Sequence, residues 1–294
     1  MGEPVTFAHR VEALAYDAVT GLLRLLPFSW VSAAGGAIVR LVGPLTSKRR
    51  VAKTNLRLAF PDASDAEIRR LMRAQWDNLG RTFAEFALTD RIRAFEPDAR
   101  VTVEGLDIFY AHAPAILISG HFANWEVMAT VLTQSEQPVR VTYRKINNPL
   151  IDARVRKQRE SYGTKFLVQK STHRGGRELF TALRSGESIA IMNDQKFNTG
   201  LSLPFFGTPA MTAQGAVRLS LKTGRPIVPI SVTRDRARFH VRFHPPLAWE
   251  RTGARDTDVA AGVRAVTRFI EDRIREAPDQ WFWVHRRWPR EHYE

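Results

Sequence analysis

The sequence predicts an α/β fold with a central mixed, mostly parallel sheet flanked by helices, preceded by an apolar helical N-terminal segment. Two observations carry that reading. From Val101 onward, short apolar runs alternate with amphipathic helical patterns, the texture of strand and helix units stacked around a sheet. Before Val101 the chain reads as helices alone, the first two rich in apolar residues and separated by Pro27.

The first apolar pieces run from Val11 to Leu26 and from Ser29 to Leu45. Glu12, Asp17, Arg24 and Arg40 interrupt them, and each is shorter than the ~20 clean apolar residues that cross a bilayer. No signal peptide is evident. Followed by Ser47-Lys48-Arg49-Arg50, residues 1–50 are read as a segment that lies on an anionic leaflet, with an ordinary core hairpin as the alternative. Residues 51–294 are read as the folded domain. Asn55 to Pro61 ends the first region at a proline, and Ser64 with Glu67 has the spacing of a capping box. Ile68, Leu71, Met72, Trp76, Leu79, Phe83 and Phe86 then form one apolar stripe, read as core packing. Candidate strands follow at Val101–Val103, Ala115–Ser119, Val139–Tyr143, Lys165–Val168, Ser188–Met192, Ile227–Val232 and Arg238–Phe243.

The chemistry centres on Ala115 to Ala129. A buried strand ends at Ser119, Gly120 and His121 make a turn, and apolar residues from Phe122 onward recur at helical intervals. A histidine at a helix N-terminus is favoured as neutral imidazole, the form a general base needs. Glu126 is expected to accept from its other ring nitrogen and fix the tautomer. The spacing alone is weak, since this composition yields roughly 0.8 such histidine–acid pairs by chance. The second pair, His173 with Glu178, sits in a polar run without a leading strand, so context selects His121. Arg144 and Asp194 also fall just past strand ends, and polar residues leaving adjacent strands converge on one pocket. The Leu203–Pro209 stretch reads as an apolar loop with rigid turns. The Trp281–Trp288 run suits either a membrane interface or buried packing with cation–π contacts.

Composition narrows the class. The absence of cysteine excludes disulfides, thiolate metal sites and a cysteine nucleophile, and no cluster at metal-ligand spacing is visible. A net charge of +14 points to an anionic partner. Between Arg140 and Arg177 stand 11 Lys or Arg against 2 acids, directly after the His121 segment. No nucleic-acid-binding module is recognisable, and the aromatics follow core periodicity, so nucleic acid is not expected as a partner.

Gly120-His121 through Glu126, Tyr143-Arg144 with Asn148-Pro149, Asn193-Asp194-Gln195, Pro204-Phe205-Phe206-Gly207 and Trp283-Val284-His285-Arg286-Arg287-Trp288 together resemble, in order, the late acyltransferases of lipid A biosynthesis. Asn55-Leu56 to Pro61 joins the match, which covers nearly the whole chain. The resemblance implies a glycerolphosphate-acyltransferase-like fold and transfer of an acyl chain from acyl carrier protein to a hydroxyl of a Kdo-bearing lipid A precursor. It places the reaction at the cytoplasmic face of the inner membrane of a Gram-negative bacterium. His121 and Glu126 are implied as catalytic, and Arg144, Asn148, Asp194 and Gln195 as substrate-binding. The implied partners are acyl carrier protein, an anionic glycolipid and the membrane surface. No cofactor is implied beyond the carrier's phosphopantetheine thioester. Lys145-Ile146 departs from the proline and polar residue common after that Tyr-Arg pair. The same motifs leave open an acyltransferase for another membrane lipid, a phosphatidylinositol mannoside or an amino-acid lipid.

Overall fold

The computed structural model describes residues 5–143, 145–167 and 173–294. Four helices come first: α1 (Phe7–Leu23), α2 (Phe28–Val42), α3 (Lys48–Ala59) and α4 (Asp65–Glu85). The capping box at α4 forms as its spacing predicts. The Ser64 hydroxyl accepts from the Glu67 backbone N–H at 3.2 Å, while the Glu67 carboxylate accepts from the Ser64 N–H at 2.7 Å. Small residues let α2 lie directly on α4. A Cβ at Gly35 would come within 2.4 Å of the Ala84 Cβ, and one at Gly80 within 2.2 Å of the Gly35 carbonyl oxygen, so neither position has room for a side chain.

The sheet has seven strands: β1 (Val101–Glu104), β2 (Ile116–Ser119), β3 (Val139–Thr142), β4 (Lys165–Leu167), β5 (Ser188–Met192), β8 (Ile227–Asp235) and β9 (Arg238–Phe243). Their spatial order is β1-β9-β8-β2-β5-β3-β4. β8, β2, β5, β3 and β4 run parallel, and β9 turns back antiparallel to β8 with β1 parallel to β9, so the sheet is mixed and mostly parallel as expected. Val168, the last residue of one expected strand, lies outside the described residues. β2 is buried along its whole length, which requires both faces to be covered. α6 (Glu126–Gln134) packs on β3, β8 and β9, α8 (His173–Arg184) on β4 and β5, and α9 (Gly215–Thr223) on β2 and β8. α5 (Leu106–His112), α7 (Pro149–Ser161) and α10 (Arg255–Glu276) complete the helices.

Two expectations change here. The stretch read as an apolar loop is a hairpin, with β6 (Lys196–Phe205) pairing antiparallel to β7 (Thr208–Thr212). Phe206 and Gly207 turn it with φ of 50° and 78°, two positive values in succession as in a primed turn. The Phe206 N–H is held by the Glu271 carboxylate at 2.8 Å, with Arg275 stacked on its ring. The helix expected from Phe122 begins only at Glu126, because residues 120–125 are drawn into contacts with the C-terminal segment.

Candidate active site

The register of two parallel strands builds the site. Ser119 at the end of β2 lies beside Met192 at the end of β5, so His121 and Asp194, each two residues further on, leave the sheet side by side. Asp194 receives three hydrogen bonds. Its Oδ2 accepts from the His121 backbone N–H and the Trp281 indole N–H, both at 2.8 Å, and its Oδ1 lies 2.7 Å from His121 Nδ1. Burial by itself would raise the Asp194 carboxyl. The His121 ring and the N–H donors outweigh that and hold it well below the usual carboxylate range. An ionised Asp194 requires a proton on Nδ1, which leaves the Nε2 lone pair as the basic position of the ring.

The loop carrying His121 is clamped from the far end of the chain. The Phe282 N–H donates to the His121 carbonyl at 3.1 Å, and the Ala123 N–H donates to the Gln280 carbonyl at 2.7 Å. Ala123 is held at a φ of 40°, a left-handed conformation that the clamp maintains. Beneath it the Thr82 hydroxyl donates to the Ala123 carbonyl at 2.9 Å, and Asn124 donates to the Glu85 carboxylate at 2.9 Å. Glu85 is completely buried and also receives both terminal nitrogens of Arg234, at 2.7 and 2.8 Å. This buried pair and its hydroxyl partners make the platform of the loop.

His121 opens onto a cavity of about 360 Å³. Polar groups of Glu126, Tyr143, Arg159 and Gln195 line it together with the apolar Leu117, Trp125, Met128, Leu132, Val141 and Ile230. A lining of this mixed kind suits a ligand with a polar reacting end and a hydrocarbon tail.

Glu126 meets a different partner from the one expected. His121 Nδ1 already serves Asp194, and both Glu126 oxygens are taken by Arg159 of α7, with Arg159 Nε donating to Glu126 Oε2 at 2.8 Å. The reason is geometric: Glu126 is the first residue of α6, and its carboxylate points to α7. Burial opposes charge on Arg159, but Glu126 prevails and raises the guanidinium above its ordinary value. Asn148 also has another task. Its Oδ1 caps α7 by accepting from the Leu150 N–H at 3.0 Å, and its Nδ2 donates to the His9 carbonyl and the Glu12 carboxylate in α1. It does not line the cavity. Gln195 does, and Arg144 lies outside the described residues.

Comparison with known proteins agrees with this geometry. The family model described as bacterial lipid A biosynthesis acyltransferase matches residues 5–290. The chain belongs to that family. Among curated acyltransferases, it is similar to the lipid A biosynthesis palmitoleoyltransferase of Escherichia coli (strain K12), at 27% identity over 276 residues, covering 89% of this chain and 86% of the relative. The lauroyltransferase of the same organism is 25% identical over 288 residues, covering 92% and 88%. A lipid A biosynthesis acyltransferase of Haemophilus influenzae is 20% identical over 273 residues, covering 90% and 83%.

In this member of the acyltransferase family, the sequence motifs did not single out Trp281, Arg159 or the Glu85–Arg234 pair as parts of the site. Trp281 belonged to a noted aromatic run, and the structure decides between its two readings. Trp281, Trp283 and Trp288 are buried, and Arg287 stacks on Phe205 at 4.5 Å, so the run is internal packing with a cation–π contact. Arg159 stood within the basic run from Arg140 to Arg177 with nothing to separate it from its neighbours, and Arg234 among 44 basic residues with no local pattern.

Proposed function

We propose that this protein transfers a fatty acyl chain from acyl carrier protein to a hydroxyl of a Kdo-bearing lipid A precursor at the cytoplasmic face of the inner membrane. The observation that carries the reading is a histidine with its Nδ1 committed to a buried aspartate, lining a cavity that also has apolar walls. Family membership and the activities for which the relatives are named support the acceptor class.

His121 Nε2 takes the proton of the acceptor hydroxyl as its oxygen attacks the thioester carbonyl, forming the new C–O bond. The tetrahedral intermediate collapses with cleavage of the C–S bond. The departing thiolate receives the proton from His121, so the base returns to its starting form. Asp194 stabilises the imidazolium between those events and keeps the ring in the reactive tautomer. The acyl chain lies against the apolar walls, beside Leu117, Met128 and Leu132. Arg144 and Gln195 contact substrate, and Glu126 acts on the cavity wall through Arg159.

The test is mass spectrometry of lipid A precursor incubated with the protein and a panel of acyl carrier protein thioesters. A mass gain of one acyl chain with wild type, and none with folded His121→Ala, is the expected result. A folded wild type that adds nothing from any donor defeats the assignment and directs the search to other acceptor lipids.

A further inference from the structure

Four of the 11 basic residues in the run that the sequence singled out are ion-paired within the fold. Arg140 pairs with Glu187, Arg154 with Asp17, Arg156 with Glu160 and Arg159 with Glu126. A separate set of positive charges lies outside that run, in a groove of about 580 Å³ between the end of α2, α3 and the first half of α4. Arg49, Lys53, Arg69 and Arg73 stand around it, all exposed, and none makes an ion pair with an acid among the described residues. Its two other charged residues are already engaged, Asp65 with Arg57 and Arg40 with Asp77 at 3.7 Å. The buried Trp76 forms part of the wall, and its indole N–H has no partner.

One rim of this groove is apolar and bare. Leu41, 73% exposed, lines the groove, and Leu45 just beyond it is 85% exposed. Trp30 and Ile38, also exposed, lie with Leu41 within about 80° of one another around α2, at about 100° per residue, and Leu45 follows in the 3-10 turn Gly43–Leu45. A surface that joins free cations to a hydrocarbon stripe is complementary to an anionic lipid, whose phosphate sits directly above its acyl chains. An acidic protein helix would satisfy the cations but leave the stripe in water.

We propose that this groove seats the phosphate of an anionic bilayer phospholipid, with Leu41, Leu45, Ile38 and Trp30 entering the acyl layer beside it. The opposite face of α2 is committed to α4, through the Gly35–Gly80 approach and the Ser32 hydroxyl donating to Glu85 at 2.6 Å. The stretch Phe28–Leu45 is long and apolar enough to cross a membrane, but docked in this way it lies along one leaflet. The groove shares no lining residue with the cavity at His121, so the inference stands apart from the identity of the acyl donor and acceptor.

The test is flotation of the full chain with phosphatidylcholine vesicles, with and without phosphatidylglycerol. Arg69→Ala/Arg73→Ala is expected to bind the phosphatidylglycerol vesicles roughly 30-fold more weakly, at about 1 kcal/mol for each basic residue near an anionic surface. Its binding to pure phosphatidylcholine, which uses the apolar stripe alone, is expected to match wild type. Arg69→Lys/Arg73→Lys restores most of the loss. Arg218→Ala/Lys222→Ala, which removes the same charge from α9, changes little. Wild-type binding by Arg69→Ala/Arg73→Ala overturns the proposal, and so does an equal loss in the α9 variant. If the groove variant loses affinity for acyl carrier protein or inorganic phosphate while vesicle binding is intact, the groove serves that ligand and the lipid assignment is wrong.

Discussion

Two buried carboxylates belong to the site, Glu126 lining the cavity and Asp194 behind His121, and they hold opposite kinds of partner. Asp194 leaves β5 and carries a histidine, a backbone N–H and an indole N–H. Glu126 starts α6 and carries an arginine. The first pair sets the protonation of a group that must gain and lose a proton, whereas the second fixes a charge that never changes at neutral pH. An acid five residues from a histidine is therefore not the acid that serves it. Strand register decides the pairing.

If that division is right, the largest effect belongs to Asp194. Asp194→Asn removes the charge that keeps the proton on Nδ1, and kcat is expected to fall by about 10²- to 10⁴-fold with KM little changed. A variant that retains wild-type kcat would erase the distinction between the two carboxylates. Because the Asp194 carboxyl is held low, its stabilising share is complete above the ordinary carboxylate range and is lost only in stronger acid. The acid limb of a wild-type rate profile should therefore not report Asp194.

Glu126→Gln is expected to act on stability first. It strands the buried Arg159 charge, at a cost of about 3 kcal/mol measurable by chemical denaturation, and Glu126→Gln/Arg159→Met should recover much of it. Recovery of the fold without recovery of activity would show that the arginine also touches substrate.

A second histidine lies in the field of the same aspartate, and sharpens the contrast. Burial lowers His285 to about 4, against about 6.5 when unfolded. The unfolded chain thus binds the extra proton between those values, so stability is complete above about pH 6.5 and falls as pH drops towards 4. At pH 5 the loss from this residue is about 2 kcal/mol. His244, also lowered to about 4 by burial, adds a slope of the same sign. His285→Gln, which can still donate to the Phe282 carbonyl, should flatten the pH dependence of the denaturation midpoint without abolishing it. An unchanged slope would mean that His285 is not held neutral.

The smallest effect is expected at Trp281. Trp281→Phe keeps the ring but removes one donor from Asp194, and a hydrogen bond to a charged group is worth about 1.5 kcal/mol, or roughly tenfold in kcat. Equal losses in KM would point instead to a displaced loop.

The legible parts of this fold are those written in local pattern. The β2 run and its glycine placed His121, the apolar β5 run placed Asp194, and the Ser64–Glu67 spacing placed the start of α4. Parallel strands with sites at their ends were enough to expect those two residues in one pocket. The β6–β7 hairpin escaped because Asn198, Gly200 and Pro204 break its alternation and it pairs outside the main sheet. Residues 122–125 looked helical because the hydrogen bonds that hold the loop out of a helix come from residues 280 and 282. The Glu126–Arg159 contact depends on where α7 packs, and Asn148 read as a motif residue although its local chemistry, a side-chain oxygen followed by proline, is that of a helix cap.

The clamp between residues 121–123 and 280–282 also sets an order of events. A ribosome that has completed every strand of the sheet has still made no working base, because the indole that braces Asp194 and the backbone that closes the histidine loop lie downstream of the last strand. Competence waits for residues 280–282, and a nick between that strand and this segment would silence the catalyst while leaving its sheet in place.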